Sequence, residues 1–472
     1  MRERIGLVLG PVVFVLFVAF PPPAGIAPAA WRTAAVAALM AVWWVTEAVP
    51  IAVTSLVPLV LFPLTGIASM DAAAAPYANP VIFLFLGGFL VAAGLERSGL
   101  HKRIAFHVIR VVGTAPRQLL FGFMLATGLL SAGVSNTATV ALMLPMAASV
   151  LRLVEGRGEG EESAELGPAL MLGLAYAASL GGLATLIGTP PNALLAGFMA
   201  ETYGRTIGFA QWMLLGVPLA AVSIPLCWLV LTRLHRLPRR EIAGGRELIR
   251  REIASLGRID RAEGTVAVVT VGVALAWMFR PLLDDVVPGL SDPGIAVLGA
   301  LLLFLIPIQR TPVKSVLTLP DLEAVPWSVL LLFGGGLSLA SAIESSGLAR
   351  AIGDAMAMLG GVPAWVAVAV VTVVVILLTE LTSNTATAAT FLPIVGSAAI
   401  GMGLDPATLA VPAALAASCA FMLPVATPPN AIVFGSGKIT IGQMVRAGIW
   451  MNAVMTIVII LAVHLLARFV LD

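Results

Sequence analysis

The chain has 472 residues, 59% of them hydrophobic and 11% charged, with a formal net charge of +2. An ordinary soluble domain carries roughly 25% charged residues, so this composition cannot clothe a water-soluble fold of this length. It excludes a cytosolic enzyme, a secreted disulfide scaffold and a disordered chain, and the near-neutral balance leaves no broad basic surface for nucleic acid. What remains is an all-α polytopic membrane protein.

A membrane helix needs about 20 largely apolar residues. In chain order, spans are expected near Ile5–Phe20, Ala29–Thr46, Ile51–Ala68 and Asn79–Leu95. Apolar stretches follow at Arg117–Arg152, Pro168–Met199 and Gln211–Leu231, then Gly264–Met278, Gly294–Ile308 and Pro326–Ile343. The last are Pro363–Gly401, Pro406–Gly435 and Val445–Leu466. The first stretch shares a basic start (Arg2, Arg4) and a short apolar run with signal peptides; the many apolar segments behind it favour a retained first span. The uncharged stretch between Arg117 and Arg152 is too long for one helix and short for two crossings, so it reads as a helical hairpin that dips in and returns. Pro363–Gly401 reads the same way, with Glu380 its only charge. The count is then about eleven transmembrane helices plus two re-entrant hairpins. With the N-terminus in the cytoplasm and the C-terminus outside, only Arg32, Arg205, Arg280, Arg350 and Arg468 among the basic residues fall outside, as the positive-inside rule requires.

The charged segment Thr232–Glu263 reads as a cytoplasmic amphipathic linker, and Arg157–Leu166 as a polar loop without the ending of a phosphate cradle. The domains expected are 1–28 (first span and connection), 29–231 (hairpin 117–152, broken helix 168–199), 232–263 (linker) and 264–472 (hairpin 363–401, broken helix 406–435). Cys227 and Cys419 lie far apart in apolar sequence and read as small core residues. His101, His107, His235 and His464 have no metal-ligand spacing, and His101 and His107 read as part of a solvated or interfacial face among Lys102, Arg103 and Arg110.

The halves repeat. Gly87-Gly88, Glu96 and Ser98-Gly99-Leu100 recur as Gly335-Gly336, Glu344 and Ser346-Gly347-Leu348. At the same offset, Ser135-Asn136-Thr137 recurs as Ser383-Asn384-Thr385. Thr189-Pro190-Pro191-Asn192 recurs as Thr427-Pro428-Pro429-Asn430, at a shorter offset because the first half carries the extra polar loop. An odd number of crossings between the hairpins makes this an inverted-topology repeat, a plan of secondary transporters whose site lies where the repeats meet.

Non-helical backbone survives at membrane depth only where it is buried in protein or lines a cavity. A Ser-Asn-Thr tip starts a helix whose first N–H groups lack partners and carry partial positive charge. Its side chains can donate to a carboxylate or offer oxygen to a hard cation. Pro190 and Pro428 break a second helix in each half and free carbonyls near Gly188 and Ala426. Each half would then hold one cation between hairpin and broken helix, with an anion between the tips. No motif contains Lys or Arg, so a dianion there depends on helix ends and bound cations. Glu380, opposite Ala132 in the repeat, reads as a structural hydrogen-bonding or charge-balancing group, and the Gly87 and Gly335 pairs as close-packing positions.

These motifs resemble the divalent anion/sodium symporter family, carriers of dicarboxylates and citrate, over nearly the whole chain. The resemblance implies a substrate site of Ser135, Asn136, Thr137, Thr189, Pro190, Ser383, Asn384, Thr385, Thr427 and Pro428. It implies one sodium on Ser131, Ser135, Asn136 and the Gly188 carbonyl, and a second on Thr379, Thr382, Asn384 and the Ala426 carbonyl. Thr382 replaces a usually smaller residue and Thr189 a usual serine. It further implies a homodimer, an elevator-type motion, and interfacial arms after Glu96 and Glu344. The function expected is sodium-coupled symport of C4-dicarboxylates or related di/tricarboxylates across a bacterial-type inner membrane, with Na+ as coupling ion and no organic cofactor. The alternatives are a cation-independent exchanger and a sulfate-type oxyanion carrier. A membrane-embedded hydrolase would have Glu380 as its only base, with no histidine beside it.

Overall fold

The computed structural model describes residues 2–155, 161–237, 244–283, 287–310, 313–357 and 362–466. Most of them are helical. Among the described residues, six helical stretches are long and apolar enough to cross a membrane: Pro28–Thr46, Met70–Ser98, Phe209–Leu234, Arg261–Met278, Trp327–Ser345 and Ile441–Leu465. Shorter apolar helices include Asp292–Leu305, Ala364–Thr379 and Pro406–Ala417. Their lengths follow the apolar runs, and their ends follow cap chemistry. Arg261–Met278 starts in a capping box, in which Asp260 accepts from the Glu263 N–H at 2.7 Å.

The interruptions sit where the motifs put them. The first hairpin is Pro116–Ser131 and Asn136–Glu155, joined at residues 132–135. The second is Ala364–Thr379 and Asn384–Gly401. The broken helices are Glu161–Gly182 with Pro190–Tyr203, and Pro406–Ala417 with Pro428–Gly435. The halves cross over each other. Pro190–Tyr203 packs on the second hairpin's Asn384–Gly401, and Pro428–Gly435 packs on the first hairpin's Asn136–Glu155. This exchange draws the four interrupted segments to one place.

Around them, Pro80–Ser98 packs against Asp292–Leu305 and Arg261–Met278, and Arg2–Ala19 against Pro28–Thr46. The glycine pairs are contact points. A Cβ on Gly87 would lie 2.7 Å from the Ala296 Cβ, and one on Gly335 2.7 Å from the Ser55 Cβ. Both cysteines are buried and unbridged.

The structure departs from the sequence reading in several places. The span expected at Ile51–Ala68 is two short helices, Ile51–Thr54 and Val57–Thr65. Pro58 has no N–H to give the Thr54 carbonyl, the Leu59 N–H turns to the Leu56 carbonyl, and the Ser55 carbonyl instead accepts the Tyr77 hydroxyl. The apolar run at Gly294–Ile308 ends at Leu305 and turns into an antiparallel pair, Pro307–Arg310 with Val313–Ser315, which an all-helical reading did not foresee. Of the polar loop Arg157–Leu166, residues 157–160 lie outside the described residues, and Glu161–Leu166 form the start of a helix. Within the linker, Gly245–Ser255 is a helix, residues 238–243 lie outside the described set, and the next helix begins at Arg261. His101 does not face solvent. It is buried with Nδ1 2.7 Å from the Leu95 carbonyl, and burial lowers its pKa, which keeps the ring neutral at pH 7. His107 is half-buried on the Arg103 carbonyl. Arg468 and the final residues expected outside lie beyond those described.

Candidate binding site between the hairpin tips

One cavity of 1610 Å³ gathers the motifs. All ten residues expected to touch substrate line it: Ser135, Asn136 and Thr137 with Ser383, Asn384 and Thr385 from the tips, and Thr189, Pro190, Thr427 and Pro428 from the breaks. Four helices, starting at Asn136, Asn384, Pro190 and Pro428, point their N-termini into this space. Each N-terminus carries about half a positive charge in unpartnered N–H groups. Ser135 Oγ and Thr427 Oγ1 each accept one of these, from Ala138 N and Asn430 N at 3.2 Å. Thr189 instead reaches across the repeat, its hydroxyl 3.4 Å from that of Ser418.

Behind each tip lies a second cluster of oxygen atoms. Ser131 Oγ bonds to Asn136 Oδ1. At the same spacing in the other half, Thr379 Oγ1 donates to Asn384 Oδ1 at 2.8 Å and also lies 2.8 Å from the Ala417 carbonyl. In the first half Gly182 leaves a niche. A Cβ built there would sit 2.9 Å from Asn136 Oδ1 and 3.0 Å from the Gly188 carbonyl oxygen. Two oxygens facing one small void suit a hard cation held by neutral ligands. In the second half, Thr382 has its hydroxyl on the Leu378 carbonyl (2.9 Å) and on Thr387 (2.5 Å), and is not a cavity-lining residue. Both of its bonds thus go outside the expected ligand set, whereas Thr379 also bonds to Asn384 within it. Ser131 and Thr379 are buried behind the tips, while Gly188 and Ala426 reach the cavity.

The charge of the cavity runs against an anion. Its described lining includes Glu3, Glu47, Glu96 and Asp321 but one basic residue, Arg97. Arg97 is tied to Asp321 and, at 3.0 Å, to Thr318. Burial alone would raise the pKa of Asp321; the bonds from Arg97 and Thr318 outweigh it and hold the carboxyl below its ordinary value. The pair is therefore charged and closed at neutral pH. A dianion between the tips meets hydroxyls, carboxamides and helix ends, with no free cationic side chain among the described residues that line the cavity.

The chain matches the family described as the sodium:sulfate symporter transmembrane region over residues 2–471. It belongs to that family. The family is one of membrane transporters, so the embedded hydrolase weighed above falls away. Relatives in Staphylococcus saprophyticus and in Staphylococcus aureus strain MRSA252, each named sodium-dependent dicarboxylate transporter SdcS, are 41% identical over 99% of this chain and 92% of their own length. The fold also resembles solved transporters. The Alcanivorax borkumensis YdaH transporter matches with a TM-score of 0.59 at 17% identity, covering 86% of this chain and 88% of that one. Neisseria gonorrhoeae MtrF matches with 0.56 at 13%, covering 98% and 93%.

The seams between hairpin and break were largely missed from sequence. Glu380 was expected to serve structure, and it does: its carboxylate accepts from the N–H groups of Phe421 (2.7 Å), Met422 (3.0 Å) and Leu423 (3.2 Å) and from Asn452 Nδ2 (2.8 Å). Its counterpart seam in the first half uses Thr185, whose hydroxyl donates to the Ala132 carbonyl at 2.5 Å. Thr185 and Ser418 have no equivalents in the other half, Leu423 and Leu180 standing there, so the repeat gave no signal for them. Asn192 and Asn430 close both Pro-Pro motifs, and only their duplication pointed to a role.

Proposed function

We propose that this family member is a sodium-coupled symporter carrying C4-dicarboxylates or related di/tricarboxylates across a bacterial-type inner membrane, as a homodimer with its N-terminus in the cytoplasm. One observation carries the reading: eight uncharged polar motif residues, two prolines and four helix N-termini surround a cavity whose only described basic residue is already paired. Desolvating a dianion there without compensation is costly. Sodium ions behind the two tips offset that cost, one on Ser131, Ser135, Asn136 and the Gly188 carbonyl, the other on Thr379, Asn384 and the Ala426 carbonyl with Thr382 as a peripheral ligand. Anion affinity then depends on cation occupancy, which is coupling. The names of the staphylococcal relatives support both the substrate class and the ion.

The same reading makes the two hairpins re-entrant and the halves an inverted repeat within about eleven crossings. The hairpins and broken helices form a unit that moves against the outer helices, with Leu100–Val112 and Leu348–Ala357 as arms along the interface. Glu3, Arg97 and Asp321 are among the residues that line the cavity, and the topology proposed here puts all three at the cytoplasmic face, so the cavity reaches that side. Proteoliposomes with an inward sodium gradient should accumulate labelled succinate, and replacing sodium by choline should abolish accumulation. Equal uptake in both, or uptake only into vesicles preloaded with dicarboxylate, would replace symport by a cation-independent exchanger.

A further inference from the structure

The asparagine that closes each Pro-Pro motif makes the same pair of bonds in both halves. Asn192 Nδ2 donates to the Gly182 carbonyl at 3.1 Å and the Thr185 carbonyl at 2.8 Å. Asn430 Nδ2 donates to the Ala420 carbonyl at 3.0 Å and the Leu423 carbonyl at 3.1 Å. Both side chains are fully buried, and in both the Oδ1 atom has no partner. The orientation is forced: turning either carboxamide over would set its oxygen against two carbonyl oxygens. These residues are therefore placed for their N–H groups alone.

The carbonyls they grip decide what they do. A broken helix leaves carbonyls at and beyond its end without intrahelical donors, and one asparagine satisfies two of them per break, at Gly182 and Thr185 and again at Ala420 and Leu423. The second gripped carbonyl also accepts the N–H of the residue whose own carbonyl the sodium-site reading makes a ligand. Gly188 N donates to Thr185 O at 3.4 Å, and Ala426 N to Leu423 O at 3.2 Å. Asparagine, gripped turn and ligand carbonyl thus form one unit, repeated with the same spacing.

We propose that Asn192 and Asn430 are positioning residues for the two cation sites, each holding a turn so that the Gly188 or Ala426 carbonyl points at the niche behind its hairpin tip. The idea rests on the sodium-site reading above and assigns to it two residues outside the ligand sets. Neither asparagine touches the ion. Each acts as an outer partner that fixes a ligand, a role whose loss lowers metal affinity by about 10- to 100-fold. Because each serves its own half, the two are separable: losing one weakens one cation and leaves the other.

The test uses the full chain purified in detergent, with Asn192→Asp, Asn430→Asp and the alanine variants. Aspartate keeps the shape and cannot make both donations. Sodium titrations of thermal stability without carboxylate, against choline, read the cation directly. Stripped of two bonds to carbonyls, the variants should melt below the parent in choline, need about tenfold more sodium for half of their maximal stabilisation, and recover transport rate at saturating sodium. Recovery by sodium is what a merely structural residue would not show. Parent-like sodium curves in the aspartate variants would overturn the proposal. So would variants that melt early in choline while keeping the parent's sodium midpoint, the mark of a purely structural bond; the alanine variants carry the test where an aspartate variant does not fold. A parent protein indifferent to sodium would defeat the coupling itself and this inference with it, whereas a responsive parent with equally responsive variants defeats the inference alone.

Discussion

The two halves build the same site on different supports. In the first, the hairpin tip meets the break through closely approaching backbone: a Cβ on Gly188 would lie 2.5 Å from the Gly182 carbonyl oxygen, and the Thr185 hydroxyl reaches the Ala132 carbonyl. In the second, a carboxylate does the work. Glu380 stands where the first half has Ala132, and gathers three successive N–H groups of the break plus Asn452. In both halves the break donates and the hairpin accepts, but the side chain that makes the bond has changed sides of the seam. What the ligands require is duplicated, namely Ser-Asn-Thr, the oxygen pair behind it, the proline break and the asparagine. What merely holds these in place has diverged, since any chemistry that satisfies the freed backbone serves equally.

That contrast can be broken by substitution. The largest effect is expected at Glu380→Ala, which strands three buried N–H groups and an amide at once and should destabilise the protein by about 3–5 kcal/mol. Thr185→Val strands one carbonyl and should cost about 1–3 kcal/mol. Melting temperatures in detergent order the two, and equal losses would mean that the seams carry equal weight. Next comes the niche. Gly182→Ala inserts a Cβ between Asn136 Oδ1 and the Gly188 carbonyl and should abolish one sodium dependence, lowering apparent sodium affinity by about 100-fold. The second half already has alanine there, at Ala420, so Ala420→Gly should leave sodium titrations unchanged. A tolerated Gly182→Ala would move the cation elsewhere. The smallest effect is expected at Arg97→Ala. With Arg97 closed on Asp321 it contributes nothing to the anion, and the succinate KM should stay within about twofold, the scale of a partly exposed ion pair.

Much of this was open to reading from sequence because the site is written twice. Three motifs in register placed both tips and both breaks to within a few residues, and the missing Lys and Arg gave the electrostatic problem before any geometry did. The supports were illegible for the complementary reason. Thr185 has no repeat partner, and nothing in a lone threonine shows that its hydroxyl caps a hairpin carbonyl. The split of Ile51–Ala68 follows from Pro58 together with a tertiary partner, Tyr77, that sequence distance hides. The Pro307–Ser315 strand pair is too short for a period to emerge. His101 carried a local signal, three basic neighbours, that its burial on the Leu95 carbonyl overrides.

The central claim is that the cavity has no positive side chain to spare and takes its positive charge from cations and helix ends. Equilibrium binding of succinate to the purified protein, titrated in sodium and again in choline at equal ionic strength, tests it most directly. The account requires measurable binding in sodium and at least about a hundredfold loss in choline, roughly 2.7 kcal/mol of coupling. Undiminished affinity in choline would mean that the peptide dipoles or Arg97 hold the anion unaided, and the account would be wrong.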